Sequence, residues 1–312
     1  MQTLDDASTL LYAAKTSECR NVVVVGGGYI GLELAEAFVL RGARVTVVEA
    51  GSQLMGTLDA DMATPIENAM RGLGIDVRVE LPVTGFADRI VQTEDGPILA
   101  DLVVLGLGVV ANSELAGGAG IELGVKDAIK VDRRQRTSAE GVWAAGDCVE
   151  SFHLVSRQPV HVALGTLANR QARVAGINLG GGYATFPGVL GTAITRICST
   201  EVGRTGLNEK EAHQAGFEFV TAAIDSTTTS SYLPESKPVR VKLLAEKRTG
   251  RVLGVQIVGG QGAAKRVDVA ATAITAGLDV QQLLDVDMGY APPMSPLWDP
   301  VAVAARKALS LL

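Results

Sequence analysis

The chain has 312 residues, 47% hydrophobic and only 4% aromatic, which is enough for two domains with real cores. Its formal net charge of −6 argues against nucleic acid or an anionic membrane as the main partner. Three scattered cysteines (Cys19, Cys148, Cys198) form no CxxC pair, which excludes a disulfide framework and a cysteine-rich zinc site and fits a reducing cytoplasm.

No metal site is expected, and neither a membrane span nor a signal peptide, because no long uncharged apolar run or basic leader pattern is present. Residues 3–17 predict a short helix, with Asp5 and Asp6 in its first turn and Leu10, Leu11 and Ala14 on one apolar face. "NVVVV" (Asn21–Val25) predicts a buried parallel strand. "GGGYIGLELAEAFVLRG" predicts a glycine turn opening a helix that stops at Gly42. "ARVTVVEA" is the next strand. "LDADMATPIENAMRGLG" is the next helix, with Asp59 as N-cap and Gly72 or Gly74 as stop. "IDVRVE" is a strand again. "VTGFADRIVQTEDGPILA" alternates around Glu94-Asp95-Gly96 and predicts antiparallel strands, and "DLVVLGLG" closes the unit as a buried strand.

Residues 1–128 therefore read as one Rossmann-like β-α-β-α-β module with a β insertion. From residue 129, "IKVDRRQRTSAEGVWAAGDC" predicts two short strands and a loop, and "GTLANRQARVAGINLGG" predicts a helix. The segment 129–183 is too small for a core of its own. Residues 184–312 read as a separate α+β unit, with Cys198 in one of its strands. Asn208 and Glu211 have capping-box spacing. "FEFVTAAI", "PVRVKLLAEK" and "GRVLGVQIVG" are strands, the last two joined by a turn at Arg248-Thr249-Gly250, and "AAKRVDVAATAITAG" is a helix. "YAPPMSPLWDP" is proline-rich and extended, exposing Tyr290, Met294 and Trp298.

Gly26-x-Gly28-x-x-Gly31 follows a buried strand, opens a helix, and is followed at the next strand end by Glu49. This is the context of a dinucleotide-binding turn. Gly26 allows the tight turn, Gly28 lets backbone approach a pyrophosphate, and Gly31 lets helix pack on strand. Glu49 is placed to accept hydrogen bonds from the adenosine ribose and to repel a 2′-phosphate, which favours NADH over NADPH. Arg44 lies at the start of that strand and does not offset this. The competing reading is a glycine-rich turn in an ordinary α/β fold. "GLGVVA" (Gly106–Ala111) nominally matches GxGxxA, but no helix follows at once. "GGQGAAK" (Gly259–Lys265) lacks GxxxxGK spacing and reads as a helix start without a ligand.

Several stretches resemble the flavoprotein pyridine nucleotide-disulfide oxidoreductases, closest to the branch with coenzyme A-disulfide reductase, NADH oxidase and NADH peroxidase. "VVVVGGGYIGLELAEAF" resembles their NADH-binding turn. "VVLGLGVVANSELA" resembles the strand and turn closing their NAD domain, with Ala111 where the family usually has Pro. "RTSAEGVWAAGDCVE" and "HVALGTLANRQARVAGINLGG" resemble their second flavin motif and the helix after it. "YAPPMSPLWDPVAVAARKA" resembles their dimer-domain segment. The resemblance covers essentially the whole chain. It implies an NAD-binding domain at 1–128, the C-terminal part of an FAD-binding domain at 129–183, and a homodimerising domain at 184–312.

The resemblance also implies roles. Gly26, Gly28, Tyr29, Ile30, Gly31, Glu49 and Gly108 would hold NAD. Gly146, Asp147, His161, Val162, Ala163, Leu164 and Thr166 would face FAD. Tyr29 would cover the nicotinamide side of the flavin, and Glu33 would sit near the nicotinamide. Tyr232 and Tyr290 would reach toward the partner subunit's redox centre. Each has a plainer reading as packing, loop or solvated residue. The function implied is hydride transfer from NADH to flavin, then reduction of a disulfide such as CoA disulfide, or of peroxide or oxygen. No flavin-type GxGxxG precedes Asn21, and no cysteine stands in the family's redox context. The expectation is therefore a chain lacking its N-terminal FAD-binding half, which either would be supplied by a separate chain or would lie upstream of a truncated start. The alternative is a non-catalytic, NAD-binding dimerisation module that has lost flavin.

Overall fold

A computed structural model describes residues 3–15 and 19–312. The first helix, α1 (Leu4–Lys15), agrees with the prediction as far as it is described, residues 16 and 17 lying outside the described residues. Leu10 and Ala14 pack on the core that follows, whereas Leu11 is exposed.

The first sheet is parallel. Strands β1 (Asn21–Val25), β2 (Arg44–Val48), β3 (Asp76–Arg78) and β7 (Leu102–Leu105) run in the order β3-β2-β1-β7. The valines of β1 are buried on both faces: Val22 and Val24 pack with the helical residues Leu32 and Phe38, and Val23 and Val25 pack with Val91 and Ile98 of the β insertion. Asp101 fastens the start of β1 to the start of β7: its Oδ2 accepts from the Asn21 N–H (2.8 Å), the Asn21 Nδ2 (3.0 Å) and the Arg20 N–H (3.1 Å). These backbone donors, with Arg89, hold its carboxyl below the usual range. The predicted insertion is a three-stranded antiparallel sheet of β4 (Val83–Ala87), β5 (Ile90–Thr93) and β6 (Gly96–Leu99).

Helix α2 (Tyr29–Val39) buries Gly31, Leu32, Ala35 and Phe38, and α3 (Ala60–Gly72) buries Met62, Ala63, Ile66 and Met70. Pro65 lies inside α3 and has no N–H to offer the Asp61 carbonyl oxygen. Arg240 Nη1 from the C-terminal unit approaches that oxygen instead, at 3.5 Å.

Residues 106–192 contain little regular structure. Helix α4 (Glu114–Gly118) is short, β8 (Ser151–Phe152) and β9 (Pro159–Val160) form a two-stranded ribbon, and α5 (Gly165–Leu179) is the one long element. The two strands predicted in 129–150 are not formed. Their segments meet only through single bridges, Ile129 with Val149 and Arg136 with Trp143. Most of their backbone groups bond to local turns rather than to a ladder, for instance Gln135 N–H to Asp132 O and Val149 N–H to Gly146 O.

The C-terminal unit is a five-stranded antiparallel sheet in the order β10-β11-β14-β13-β12. Its strands are β10 (Ala193–Ile197), β11 (Thr200–Gly206), β12 (Phe219–Thr227), β13 (Pro238–Glu246) and β14 (Val252–Gly259). Helices α7 (Val267–Ala276), α8 (Val280–Leu284) and α9 (Pro300–Leu309) pack on it around Leu243, Val255, Ile257 and Ala304. The short α6 (Glu209–Gln214) carries the predicted capping box of Asn208 and Glu211. Cys198 is in the turn between β10 and β11 at φ +56°, not in a strand, and its N–H donates to Glu36 Oε2 at 2.7 Å.

The two sheets share a core: Ile197, Val202 and Val258 pack with Leu32, Ile66 and Met70 of α2 and α3. A buried polar junction lies alongside. Asp59 occupies the N-cap position of α3 as predicted, but its carboxylate makes no cap bond. Gln256 Nε2 and Lys242 Nζ approach its Oδ2 at 2.6 and 3.1 Å, and the Glu209 N–H donates to its Oδ1 at 3.0 Å. A buried residue from another element outcompetes the local helix N–H groups here. Lys242 also meets Asp61 (2.7 Å) and Glu209 (3.0 Å). Burial alone would lower the Lys242 pKa, but the three carboxylates outweigh it and raise it.

Between β14 and α7, the "GGQGAAK" loop closes on the chain's own Glu201. The Gly262 and Ala264 N–H groups both donate to Glu201 Oε2 at 3.0 Å.

Candidate functional site

Three strand ends converge at one edge of the parallel sheet: Gly26 after β1, Glu49 after β2 and Gly106 after β7. Gly26 has φ +107°, and a Cβ there would lie 2.3 Å from the Gly106 carbonyl oxygen. A Cβ at Gly31 would lie 2.1 Å from the Gly26 carbonyl oxygen. Both positions need glycine for the helix to close on the strands. Gly28 differs, since a Cβ there meets no protein atom within 4 Å and projects into the cleft. Its glycine is explained by something that comes close to the backbone, as a pyrophosphate does. Gly28 is the N-cap of α2 and offers no side-chain cap, so the first-turn N–H groups point to the same space.

Glu49 is held by two backbone donors, Gly27 N–H to Oε2 (2.7 Å) and Gly51 N–H to Oε1 (2.6 Å). Each oxygen keeps a lone pair for a ribose hydroxyl. Arg44 sits at the opposite end of β2, as the sequence predicted. The loop after Glu49 folds back, with the Met55 N–H donating to Gly27 O (2.8 Å) and Thr57 Oγ1 lying 3.3 Å from the Tyr29 hydroxyl. Tyr29, Ile30, Glu33, Glu49 and Gly108 all line one cleft of about 1300 Å³. Glu33 accepts a hydrogen bond from the Thr195 hydroxyl at 2.6 Å, so the C-terminal unit forms part of the wall. These residues fit a dinucleotide.

Asp147, Ala163 and Leu164 line the same cleft. The Gly146-Asp147 turn, with Gly146 at φ +97°, is pinned twice. Gln171 Oε1 of α5 accepts from the Gly146 N–H at 2.9 Å, and His161 Nε2 lies 2.7 Å from the Asp147 carbonyl oxygen, to which it donates. His161 is thus a structural strut, with its ring engaged by the backbone. The Asp147 carboxylate is exposed, and α5 begins at Leu164 without a side-chain cap. An acceptor facing an open helix N-terminus fits the polar chain and ring of a flavin. Val162 and Thr166 flank this segment, and the buried Nε1 of Trp143 just upstream has no hydrogen-bond partner among the described residues.

Tyr232 and Tyr290 do not join the cleft. They are 73% and 48% exposed on the C-terminal unit, and their segments are held together by Ser230 N–H to Pro292 O (3.0 Å). Arg266 braces both segments, donating to Thr228 O (2.7 Å) and Met294 O (3.1 Å). Burial pushes the thiols of Cys19, Cys148 and Cys198 up, so none is an activated thiolate.

Two groups of functional residues were missed by sequence reasoning. Gln171 and Asn178 are polar residues on the buried face of α5, shared with Leu167 and Val174, and that placement was the available signal. Arg204 donates to the Thr57 carbonyl oxygen, 147 residues away in sequence, and no local pattern announces it; Asn208, legible only as a helix cap, donates to the same oxygen.

Comparison with known proteins places these features in context. A family model described as pyridine nucleotide-disulphide oxidoreductase matches residues 1–172, and the dimerisation-domain model of that name matches residues 192–300. The NAD(P)H sulfur oxidoreductase (CoA-dependent) of Pyrococcus abyssi is 38% identical over 96% of this chain and 68% of its own length. An NADH oxidase of Methanocaldococcus jannaschii is 35% identical over 100% of this chain and 70% of its own. The solved structure of an NAD-dependent persulfide reductase from A. fulgidus superposes with a TM-score of 0.96 at 38% identity, covering 99% of this chain and 58% of that one. The first model's match, residues 1–172, takes in both the Gly26–Gly31 turn and Gly146-Asp147, and the chain spans 58–70% of the length of the three relatives named. Among the described residues no helix is long and apolar enough to cross a membrane.

Proposed function

The chain belongs to the pyridine nucleotide-disulphide oxidoreductase family, and on that premise we propose that it binds NADH at the Gly26–Gly31 turn and serves an FAD-linked reduction of a small acceptor. The observation that carries this is the cleft itself, where the dinucleotide turn, Glu49, Gly108 and Asp147 with Ala163 and Leu164 face one space. The first-turn N–H groups of α2 take the pyrophosphate, and Gly28 leaves room for it. Glu49 accepts from the adenosine ribose and disfavours a 2′-phosphate by like charge. Tyr29, Ile30, Glu33 and Gly108 enclose the nicotinamide half and exclude water from it. Gly146, Asp147, His161, Val162, Ala163, Leu164 and Thr166 form the flavin side, with Asp147 as acceptor and the α5 N-terminus favouring negative charge on the ring. Bound flavin supplies the acceptor for the nicotinamide hydride.

In this reading residues 1–128 bind NAD, 129–183 contribute to flavin binding, and 184–312 form a homodimer in which Tyr232 and Tyr290 face the partner copy. The sulfur-directed names of the P. abyssi and A. fulgidus proteins favour an acceptor with a sulfur–sulfur bond, such as CoA disulfide. The NADH oxidase relative supports oxygen as a second reading. Unbridged cysteines fit a cytoplasmic setting.

Calorimetric titration tests the cofactor assignment. NADH is expected to bind more tightly than NADPH. Glu49→Ala is expected to weaken NADH about tenfold and to narrow the gap to NADPH. An unchanged NADH/NADPH ratio in that variant would overturn the role of Glu49. NADH binding with no turnover of any acceptor by the flavin-loaded protein would favour the non-catalytic module.

A further inference from the structure

The loop that follows β2 is held at its two ends by different parts of the molecule. Its near end is anchored within the dinucleotide-binding unit, by Gly51 N–H to Glu49 (2.6 Å) and Met55 N–H to Gly27 O (2.8 Å). Its far end is anchored by the C-terminal unit. The Thr57 carbonyl oxygen accepts from Arg204 Nη1 at 2.6 Å and from Asn208 Nδ2 at 3.2 Å. Asp59 exchanges two hydrogen bonds with Gln256, its N–H to Oε1 at 2.8 Å and Gln256 Nε2 to its Oδ2 at 2.6 Å.

Arg204 is buried on β11 and cannot swing. Its Nη2 donates to Gly206 O (2.9 Å) and to Glu211 Oε2 (2.7 Å), while Nη1 donates to Thr57 O (2.6 Å) and to Glu211 Oε1 (3.3 Å). A single carboxylate gives a buried guanidinium little net stabilisation, so its fixed geometry is the more informative feature. The next contact outward is Thr57 Oγ1 with the Tyr29 hydroxyl, 3.3 Å apart at the cleft. A continuous line therefore runs from the C-terminal sheet, through Arg204 and Thr57, to the aromatic ring that begins α2.

We propose that Arg204 is a positioning residue for the nicotinamide half of the cofactor: it fixes Thr57, and Thr57 fixes where the phenol of Tyr29 rests. This rests on the NADH reading above, with the adenosine end at Glu49 and the nicotinamide end at Tyr29. It adds that the two halves of the cofactor are governed by different domains. The adenosine and pyrophosphate contacts depend on residues 26–53 alone, and the nicotinamide contacts depend also on β11.

ADP-ribose separates the halves, because it keeps the adenosine and pyrophosphate and lacks the nicotinamide. Titrations of NADH and ADP-ribose are made against the full chain, Arg204→Lys and Thr57→Val. Arg204→Lys keeps a cation beside Glu211 but loses the fork that spans two carbonyl oxygens. Thr57→Val leaves Arg204 and its ion pair untouched and removes only the hydroxyl that meets Tyr29. NADH is expected to weaken about tenfold in Arg204→Lys and about threefold in Thr57→Val, with ADP-ribose changed by less than about twofold in both. Equal weakening of both ligands in Arg204→Lys would make Arg204 a general support and overturn the proposal, as would unchanged NADH binding in Thr57→Val. If the unsubstituted chain binds neither ligand, the NADH reading itself fails, and that outcome is separate from the two above.

Discussion

Gly31→Ala is expected to abolish NADH binding while leaving a folded chain. The added methyl would stand 2.1 Å from the Gly26 carbonyl oxygen and 3.3 Å from Val24 Cγ1. The obstruction is backbone, not the tip of a flexible side chain, and the Gly26 peptide cannot retreat because it already abuts Gly106. Helix α2 must therefore move off β1, carrying its first-turn N–H groups with it. Overpacking of this kind costs about 1–3 kcal/mol of stability. A shift of about 1 Å in the donors removes the alignment that pyrophosphate binding needs. Calorimetry should show NADH affinity reduced by more than about a hundredfold, with a lowered but cooperative melt. Gly28→Ala is the companion variant. Its methyl meets no protein atom within 4 Å, so it should weaken NADH without changing the melt. Retention of NADH affinity in both variants would show that the cofactor does not lie on this turn.

Lys242→Met is expected to give the largest loss of stability. The ammonium stands among Asp59, Asp61 and Glu209 at 2.7–3.1 Å, and its side chain is 5% exposed. Removing it leaves a buried Asp59 and two half-exposed carboxylates facing one another, a loss of about 3–5 kcal/mol. The pH dependence follows from the raised pKa of Lys242. A lysine bound more tightly to its proton in the folded state stabilises fully below its unfolded pKa of about 10.4. That contribution disappears as pH rises through the folded value. Urea melts should therefore show the unsubstituted chain losing stability above about pH 10.4, and the difference between it and Lys242→Met shrinking over the same range. A constant difference from neutral to strongly alkaline pH would contradict the charge-based account.

Much of the fold was legible because local chemistry and tertiary structure agree. The valine run at Asn21–Val25, the glycine turn with Glu49, and the Asn208–Glu211 capping box each carry their own warrant within a few residues. The cleft was legible through the spacing of Gly26, Gly28, Gly31 and Glu49, although the atoms that constrain Gly26 and Glu49 include Gly106 and Gly27 from other parts of the chain. What could not be read depends on partners far away in the chain. Asp59 has the sequence position of a cap, yet Gln256 and Lys242 claim its carboxylate. The strands expected in residues 129–150 needed a ladder partner, and only single bridges are present. Arg204 reads as an ordinary strand residue until the chain closes over Thr57.

The Gly259–Lys265 loop shows how a glycine-rich turn can be spoken for from within. Its two inward N–H groups are already saturated by Glu201, which is tethered to the neighbouring strand and directly opposite Gly259 in the ladder. A tethered carboxylate acts at an effective concentration far above that of a free anion in solution. A phosphate arriving there would have to displace a competitor that never diffuses away. The loop's resemblance to a nucleotide-binding turn belongs to its backbone alone.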